Sequence, residues 1–277
     1  MGRLARLAAV TLGFTLAAPL MLAPLAARAD TTLTIAGSTA LLPLTKAAAE
    51  TYQQQHPDVK INVSGGGSGV GITQVAQKAV DIGNSDIPAK GQPGLVDHKV
   101  CVTGFAVIVN PSAGVKNLTT KQVQNIFSGR VTNWKEVGGK DQKIVVINRP
   151  RSSGTRATFV ATVMGSVPLS EAGLVEDATG TVVATVKNTP GSVSYAGFGG
   201  THNQTGIVEV SLDGVAPTDE NVTTGKYKFW SYEHMFTNGR PSRAAAQFID
   251  YISKNNSLIT QLGYIPIGAM KVVANDR

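Results

Sequence analysis

The chain is poor in the residues on which most catalytic and metal chemistry depends. It has one cysteine, Cys101, in 277 residues, which excludes an internal disulfide. Cys101 lies in the apolar run Lys99–Val109 and reads as a small buried residue, not a reactive thiol. The four histidines, His56, His98, His202 and His234, are scattered. They make no His-x-x-x-His pair and no acid–histidine cluster with ligand spacing, so no metal centre is expected. Gly-x-Ser-x-Gly is missing, and with it the nucleophile elbow of a secreted esterase or phosphatase. The Gly-rich stretch at 64–71 lacks the Gly-Lys-Ser/Thr ending of a nucleotide loop and the Gly-x-Gly-x-x-Gly spacing of a dinucleotide site. No cofactor is expected. Basic runs are absent, as is a basic helix with interleaved aromatics, so nucleic acid is not an expected partner. No internal repeat and no low-complexity linker interrupts the chain.

What is present is an ordinary globular composition, 42% hydrophobic and 16% charged, long enough for one large or two modest domains. Residues 1–29 read as a secretory signal peptide. They have a basic start at Arg3 and Arg6, an apolar run broken by Pro19 and Pro24, and a small-x-small end at Ala27–Ala29. No cysteine follows that run, so a lipid anchor is not expected, and a secreted chain starting near Asp30 is. The formal charge of +7 falls to +4 without Arg3, Arg6 and Arg28, a modest excess that suits an anionic ligand.

The first third alternates strand and helix. Thr32–Ala36 reads as a strand, 40–55 as a helix with Pro43 in its first turn, and Val59–Val63 as a strand. A helix over 70–80 and a short buried strand over 81–86 follow. This is an α/β plan with a mainly parallel sheet, in which ligands bind at the carboxyl ends of strands. Farther on, 119–127 and 156–164 read as helices and Ile144–Ile147 as a strand. Residues 180–215 read as short strands between Gly-rich turns, 226–232 as a strand, and 242–255 as the last long helix.

Three segments share one design, a strand followed by Gly with Ser or Thr and then a helix. They are Gly37-Ser38-Thr39, Gly67-Ser68-Gly69 and Ser153-Gly154-Thr155. Each offers hydroxyls and unpaired N–H groups at a helix start, where an anion is favoured. Arg149 can grip an oxyanion with parallel N–H bonds. Asp86 looks out of place beside an anion. It fits one that carries a proton, because an ionised carboxylate only accepts hydrogen bonds. A carboxylate there separates phosphate from sulfate. Taken singly, each segment also has a plain structural reading, as a helix cap, a flexible turn, a surface arginine cluster or a turn aspartate.

Taken together the segments resemble the periplasmic phosphate-binding protein family of bacterial phosphate ABC transporters. The resemblance spans nearly the whole chain after residue 29. It rests on Gly37-Ser38-Thr39, Gly67-Ser68-Gly69, Ser85-Asp86 and Arg149 four residues before Ser153-Gly154-Thr155. Ala106–Pro111, Ile126–Gly129 with Asn133-Trp134, and Gly263–Pro266 add to it. It implies a two-lobe α/β periplasmic-binding-protein fold of type II, each lobe a mixed sheet flanked by helices. Two crossing strands, near Val107–Pro111 and Gly225–Trp230, would join the lobes. Lobe I would hold 30–108 and 225–277, and lobe II 109–224.

The same resemblance implies that Ser38, Thr39 and Ser68 bind phosphate from lobe I, with Ala40 contributing only its backbone amide. Asp86 would accept the phosphate proton and Arg149 would pair with the charge. Ser153, Gly154 and Thr155 would close the cage. Arg151 and Arg156 would be surface or rim charges. The implied protein is a monomeric periplasmic binder, not an enzyme, that delivers inorganic phosphate to a membrane permease. A binder of another small oxyanion or phosphorylated solute, or a secreted surface protein keeping the fold, is the alternative.

Overall fold

The structure, a computed structural model, describes Gly2 and residues 31–274. Apart from Gly2, the expected leader lies outside the described residues. No helix among the described residues is long and apolar enough to cross a membrane.

The alternation expected for the first third is found. β1 (Thr31–Gly37), α1 (Leu42–Gln55), β2 (Val59–Gly66), α2 (Ser68–Ala76) and β3 (Ile82–Ser85) follow in order. Pro43 sits in the first turn of α1, where it breaks no helical hydrogen bond. β1 runs parallel to both β2 and β3, so the ends of all three open on one edge. β4 (Leu95–Val109) is long and is buried throughout from Val100 onward. β5 (Asn117–Leu118), α3 (Thr120–Phe127), β6 (Val145–Asn148) and α4 (Gly154–Phe159) come next, α4 running into a π-helical turn at Val160–Met164. Then follow β7 (Leu174–Val175), α5 (Thr179–Asn188), β8 (Ser192–Gly197), α6 (Phe198–Thr201), β9 (Val208–Leu212) and α7 (Asp219–Thr223). β10 (Trp230–Asn238), α8 (Arg243–Lys254) and α9 (Asn256–Gln261) complete the order.

Two of these elements differ from the sequence reading. Residues 180–188 are not strand and turn but most of α5. The run Thr181-Val182-Val183-Ala184-Thr185-Val186 is rich in β-branched residues, which favour strands. Packing overrides that preference, because Val182, Val183 and Val186 bury one helix face in the core. The strand expected over 226–232 begins only at Trp230 and runs on to Asn238. Its lead-in buries Tyr227 and Phe229, and the Phe229 carbonyl accepts from Phe105 N–H at 2.9 Å.

The sheet order is β2-β1-β3-β10-β4-β8-β6-β7, with β9 pairing β4 and β5. β4 links the two halves. Its first part pairs antiparallel with β10, and Phe105–Val109 pair with β8. Two apolar cores lie on either side of this link. One contains Leu33, Ile35, Leu44, Tyr52, Cys101, Met235 and Phe248. The other contains Val102, Phe105, Phe127, Trp134, Phe159, Tyr195 and Tyr232. The core therefore changes hands between Cys101 and Val102 on β4, and between Tyr232 and Met235 on β10.

Candidate functional site

The loops after β1, β2 and β3 are stitched together by backbone hydrogen bonds. Ser38 N–H donates to Asn84 O and Gly67 N–H to Gly37 O, each at 2.9 Å. Gly37 makes this possible. It has φ of +136°, and a side chain there would overlap the Asn84 carbonyl. Ser38, Ser68 and Asp86 thus converge from three successive strand ends, as the sequence pattern requires.

Asp86 is the hub of this cluster and is 1% exposed. Its Oδ1 accepts from Ser38 Oγ, and its Oδ2 accepts from Thr155 Oγ1 at 2.8 Å. Its own N–H donates to Ser68 Oγ at 2.9 Å. Ser38 Oγ also accepts from the N–H groups of Ala40 and Leu41, at 3.1 and 3.0 Å, which ties it to the start of α1. Ala40 contributes backbone only. Its carbonyl accepts from Tyr264 Oη at 2.5 Å.

The opposite wall comes from the loop between β6 and α4. Ser153 caps α4 by accepting from Arg156 N–H at 3.2 Å. Gly154 presses against Ser68 and Asp86. A Cβ there would overlap Ser68 Oγ and lie 2.8 Å from Ser68 Cβ and 3.0 Å from Asp86 Cβ. The backbone needs that space, so the position admits no side chain without displacement.

Arg149 is 1% exposed. Its Nε donates to Glu176 O, and one Nη donates to Thr39 Oγ1 and to Asp177 O, all at 3.0 Å. The other Nη is buried and has no partner among the described residues. Burial pushes the guanidinium pKa down, and Asp86 pushes it back up. A buried cation with an unpartnered N–H beside hydroxyls has the chemistry to receive negative charge.

All nine residues implied by the resemblance therefore meet at one place: Ser38, Thr39, Ala40, Ser68, Asp86, Arg149, Ser153, Gly154 and Thr155. One neighbour was missed. Thr179, at the start of α5, donates its N–H to Thr39 Oγ1 at 3.3 Å, and its hydroxyl lies 3.4 Å from the same atom. The Thr179-Gly180-Thr181 sequence carries the same Thr-Gly signal at a helix start, hidden by the strand-like run after it. Arg156 also departs from its expected rim position. Its side chain is only 12% exposed, one Nη donates to the Arg149 carbonyl at 2.7 Å, and the other pairs with Glu171 at 3.0 Å. Arg151 pairs with the same Glu171 and is exposed, as expected of a surface charge.

The cluster is one of hydroxyl and guanidinium donors around a single carboxylate acceptor. Among the described residues no group of three or more histidine, cysteine or acidic side chains could hold a metal ion.

Comparison with known proteins identifies the family. Residues 23–256 match the PBP superfamily domain. The chain is 45% identical over 253 residues to the phosphate-binding protein PstS of Bacillus subtilis, covering 88% of this chain and 84% of that one. A Clostridium perfringens protein, solved with bound phosphate and described as a phosphate ABC transporter substrate-binding protein, superposes with a TM-score of 0.81. It is 30% identical, over 86% of this chain and all of that one. An ABC-type phosphate transport receptor of Vibrio cholerae gives a TM-score of 0.68 at 29% identity, covering 84% of this chain and 99% of that chain. With that coverage and identity, and with the two-core α/β fold in place, the chain belongs to the PBP superfamily and within it to the PstS phosphate-binding protein family.

Proposed function

We propose that the chain is a solute-binding protein that captures inorganic phosphate between two lobes and releases it to the permease of an ABC transporter. The observation that carries this reading is the single buried acceptor, Asp86, among donors. Ser38 reaches it from one side of the cleft and Thr155 from the other. An oxyanion seated here would draw the hydroxyls of Ser38, Thr39, Ser68, Ser153 and Thr155 and the free N–H of Arg149. Its one protonated oxygen would donate to Asp86. A proton-free oxyanion would leave two acceptors facing each other in a dry site, a cost of about 1–3 kcal/mol or more.

The lobes in this reading are residues 30–108 with 225–277, and 109–224, hinged where β4 and β10 cross between them. The two apolar cores support two lobes but favour earlier and later crossings than these bounds, since Val102–Ile108 of β4 and Tyr227–Tyr232 pack in the second core. A monomer in the periplasm, delivered by the leader at 1–29, completes the reading. It is a binder and not an enzyme, since phosphate is held and handed on unchanged.

Calorimetric titration of the phosphate-stripped protein with phosphate and then sulfate tests it. Tight one-to-one binding of phosphate with no response to sulfate is the expected result. Absence of phosphate binding after verified stripping overturns it.

A further inference from the structure

Glu233 is a buried acid to which the phosphate cage assigns no role. It lies on β10, is 0% exposed, and both its carboxylate oxygens lack a hydrogen-bond donor among the described residues. Its position is defined by the ladder beside it. His234 pairs with Ser85, Met235 with Asn84 and Phe236 with Gly83, all antiparallel. β3 ends at Ser85, and the same register carried one step past that end brings Glu233 next to Asp86. On its other side Glu233 pairs with Cys101 of β4, at a point where the register shifts.

An ionised carboxylate in that place would have no donor and would face a second carboxylate across the sheet. Burial and like charge both oppose it. Asp86 already accepts from Ser38 and Thr155 and is within electrostatic reach of Arg149. Of the two acids, Glu233 is therefore the one that must be neutral. We propose that Glu233 holds a proton and donates it in a hydrogen bond to Asp86, acting as a positioning residue that keeps Asp86 an acceptor aimed at the ligand. The proton stays on Glu233, and no transfer is needed.

The groups that face Glu233 act in the same direction. Asp86 comes from the loop after β3, Cys101 from β4, and Tyr264 from the segment after α9. None of these groups is a cation that would offset a charge on Glu233. Burial, then the charge of Asp86 and a hydrogen bond to it, push the Glu233 carboxyl well above its ordinary range. Burial together with Glu233 also raises the Cys101 thiol and the Tyr264 phenol.

The inference rests on the phosphate reading for its functional part, so the test has one arm that does not use phosphate. The infrared spectrum of the phosphate-free protein at neutral pH should show a protonated carboxyl band that E233Q lacks. A wild-type spectrum without that band overturns the proposal. In the second arm, wild type, E233Q and E233L are titrated with inorganic phosphate between about pH 6 and about pH 9. E233Q keeps a donor toward Asp86 and should bind within about threefold of wild type at neutral pH. E233L removes the donor and should bind roughly tenfold or more weakly, the worth of a hydrogen bond to a charged group. Toward alkaline pH, wild type should lose affinity relative to E233Q as Glu233 ionises beside Asp86. Parallel pH profiles for wild type and E233Q, or E233L equal to wild type, overturn the positioning role. If wild type binds no phosphate at all, the phosphate reading fails, and the infrared band still decides where the proton resides.

Discussion

The backbone N–H of Gly69, in the first turn of α2, donates to the carbonyl oxygen of Ser152 at 2.9 Å. This contact joins the Gly-rich loop after β2 to the loop before α4, on the far wall of the site. It depends on bare backbone. A Cβ on Gly67 would lie 2.8 Å from Ser152 O, and one on Gly69 3.3 Å from it. The glycines expected to let amides close on a ligand also let the two walls close on each other.

Gly67→Ala should therefore hold the cleft open. Gly67 has φ of +91°, so alanine is strained there in addition to meeting Ser152. Phosphate affinity should fall by about tenfold or more, in line with 1–3 kcal/mol for overpacking. Small-angle scattering of the phosphate-loaded variant should show a larger radius of gyration than wild type. Unchanged scattering and affinity would mean that the Gly69–Ser152 contact does not govern closure.

Asp86→Asn exchanges a pure acceptor for a side chain that also donates. Ser38 and Thr155 donate to different oxygens of Asp86, so in the variant one hydroxyl keeps the amide oxygen and the other turns to accept from the NH2, and the fold of the site should survive. Phosphate should bind about ten- to a hundredfold more weakly, as expected for losing a hydrogen bond to a charged group. Sulfate, which has no proton to offer, should gain measurable binding. Competition calorimetry of the two anions reads both changes. Selectivity equal to wild type would remove Asp86 from its role.

Arg149 serves three acceptors at once, the carbonyls of Glu176 and Asp177 and the hydroxyl of Thr39. Its fork fixes the start of α5 against the start of α1 while leaving one Nη free. Arg149→Ala should weaken phosphate binding by about 3–5 kcal/mol, the cost of breaking a buried charge pair. Arg149→Lys keeps the charge but lacks the planar fork, and should recover only part of that loss. Full recovery by lysine would show that charge alone, not the fork, holds the anion.

The strands and helices of the first third were readable in the sequence because each has one clean period. β2 alternates, β3 is a short buried run, and the loops around them are marked by glycine next to serine or threonine. Asp86 was legible for a chemical reason, since a lone acceptor among donors has few uses. Three features were not legible. The helix α5 is written in Thr and Val, which read as strand until Val182 and Val186 find the core. Thr179 reaches Thr39 across 140 residues, a distance no local pattern spans. Glu233 sits in a stretch, Trp230–Asn238, whose mixed residues say nothing of burial. Only the pairing of β10 with β3, which ends one residue short at His234 and Ser85, brings it next to Asp86.

A last expectation concerns stability and lies away from the site. His202, just after α6, stacks on Phe198 with centroids 4.2 Å apart. Its Nδ1 is 3.1 Å from Glu209 of β9, and its Nε2 is 3.7 Å from Asp219 of α7. Burial works against a charge on the ring. The carboxylates of Asp219, close by, and Glu209, hydrogen-bonded to the ring, outweigh it and raise the pKa from 6.5 to about 9. The folded state therefore holds this proton more tightly than the unfolded chain. The contribution is fully present below the unfolded value of 6.5 and is lost as pH rises through about 9. His202→Gln should erase that dependence. The difference in melting temperature between wild type and variant should be largest below 6.5 and shrink through about 9. Because His202 touches none of the nine cage residues, phosphate affinity at neutral pH should stay the same. Melting curves of the two proteins that run parallel across this interval would mean that the Glu209–His202–Asp219 cluster does not carry the proton.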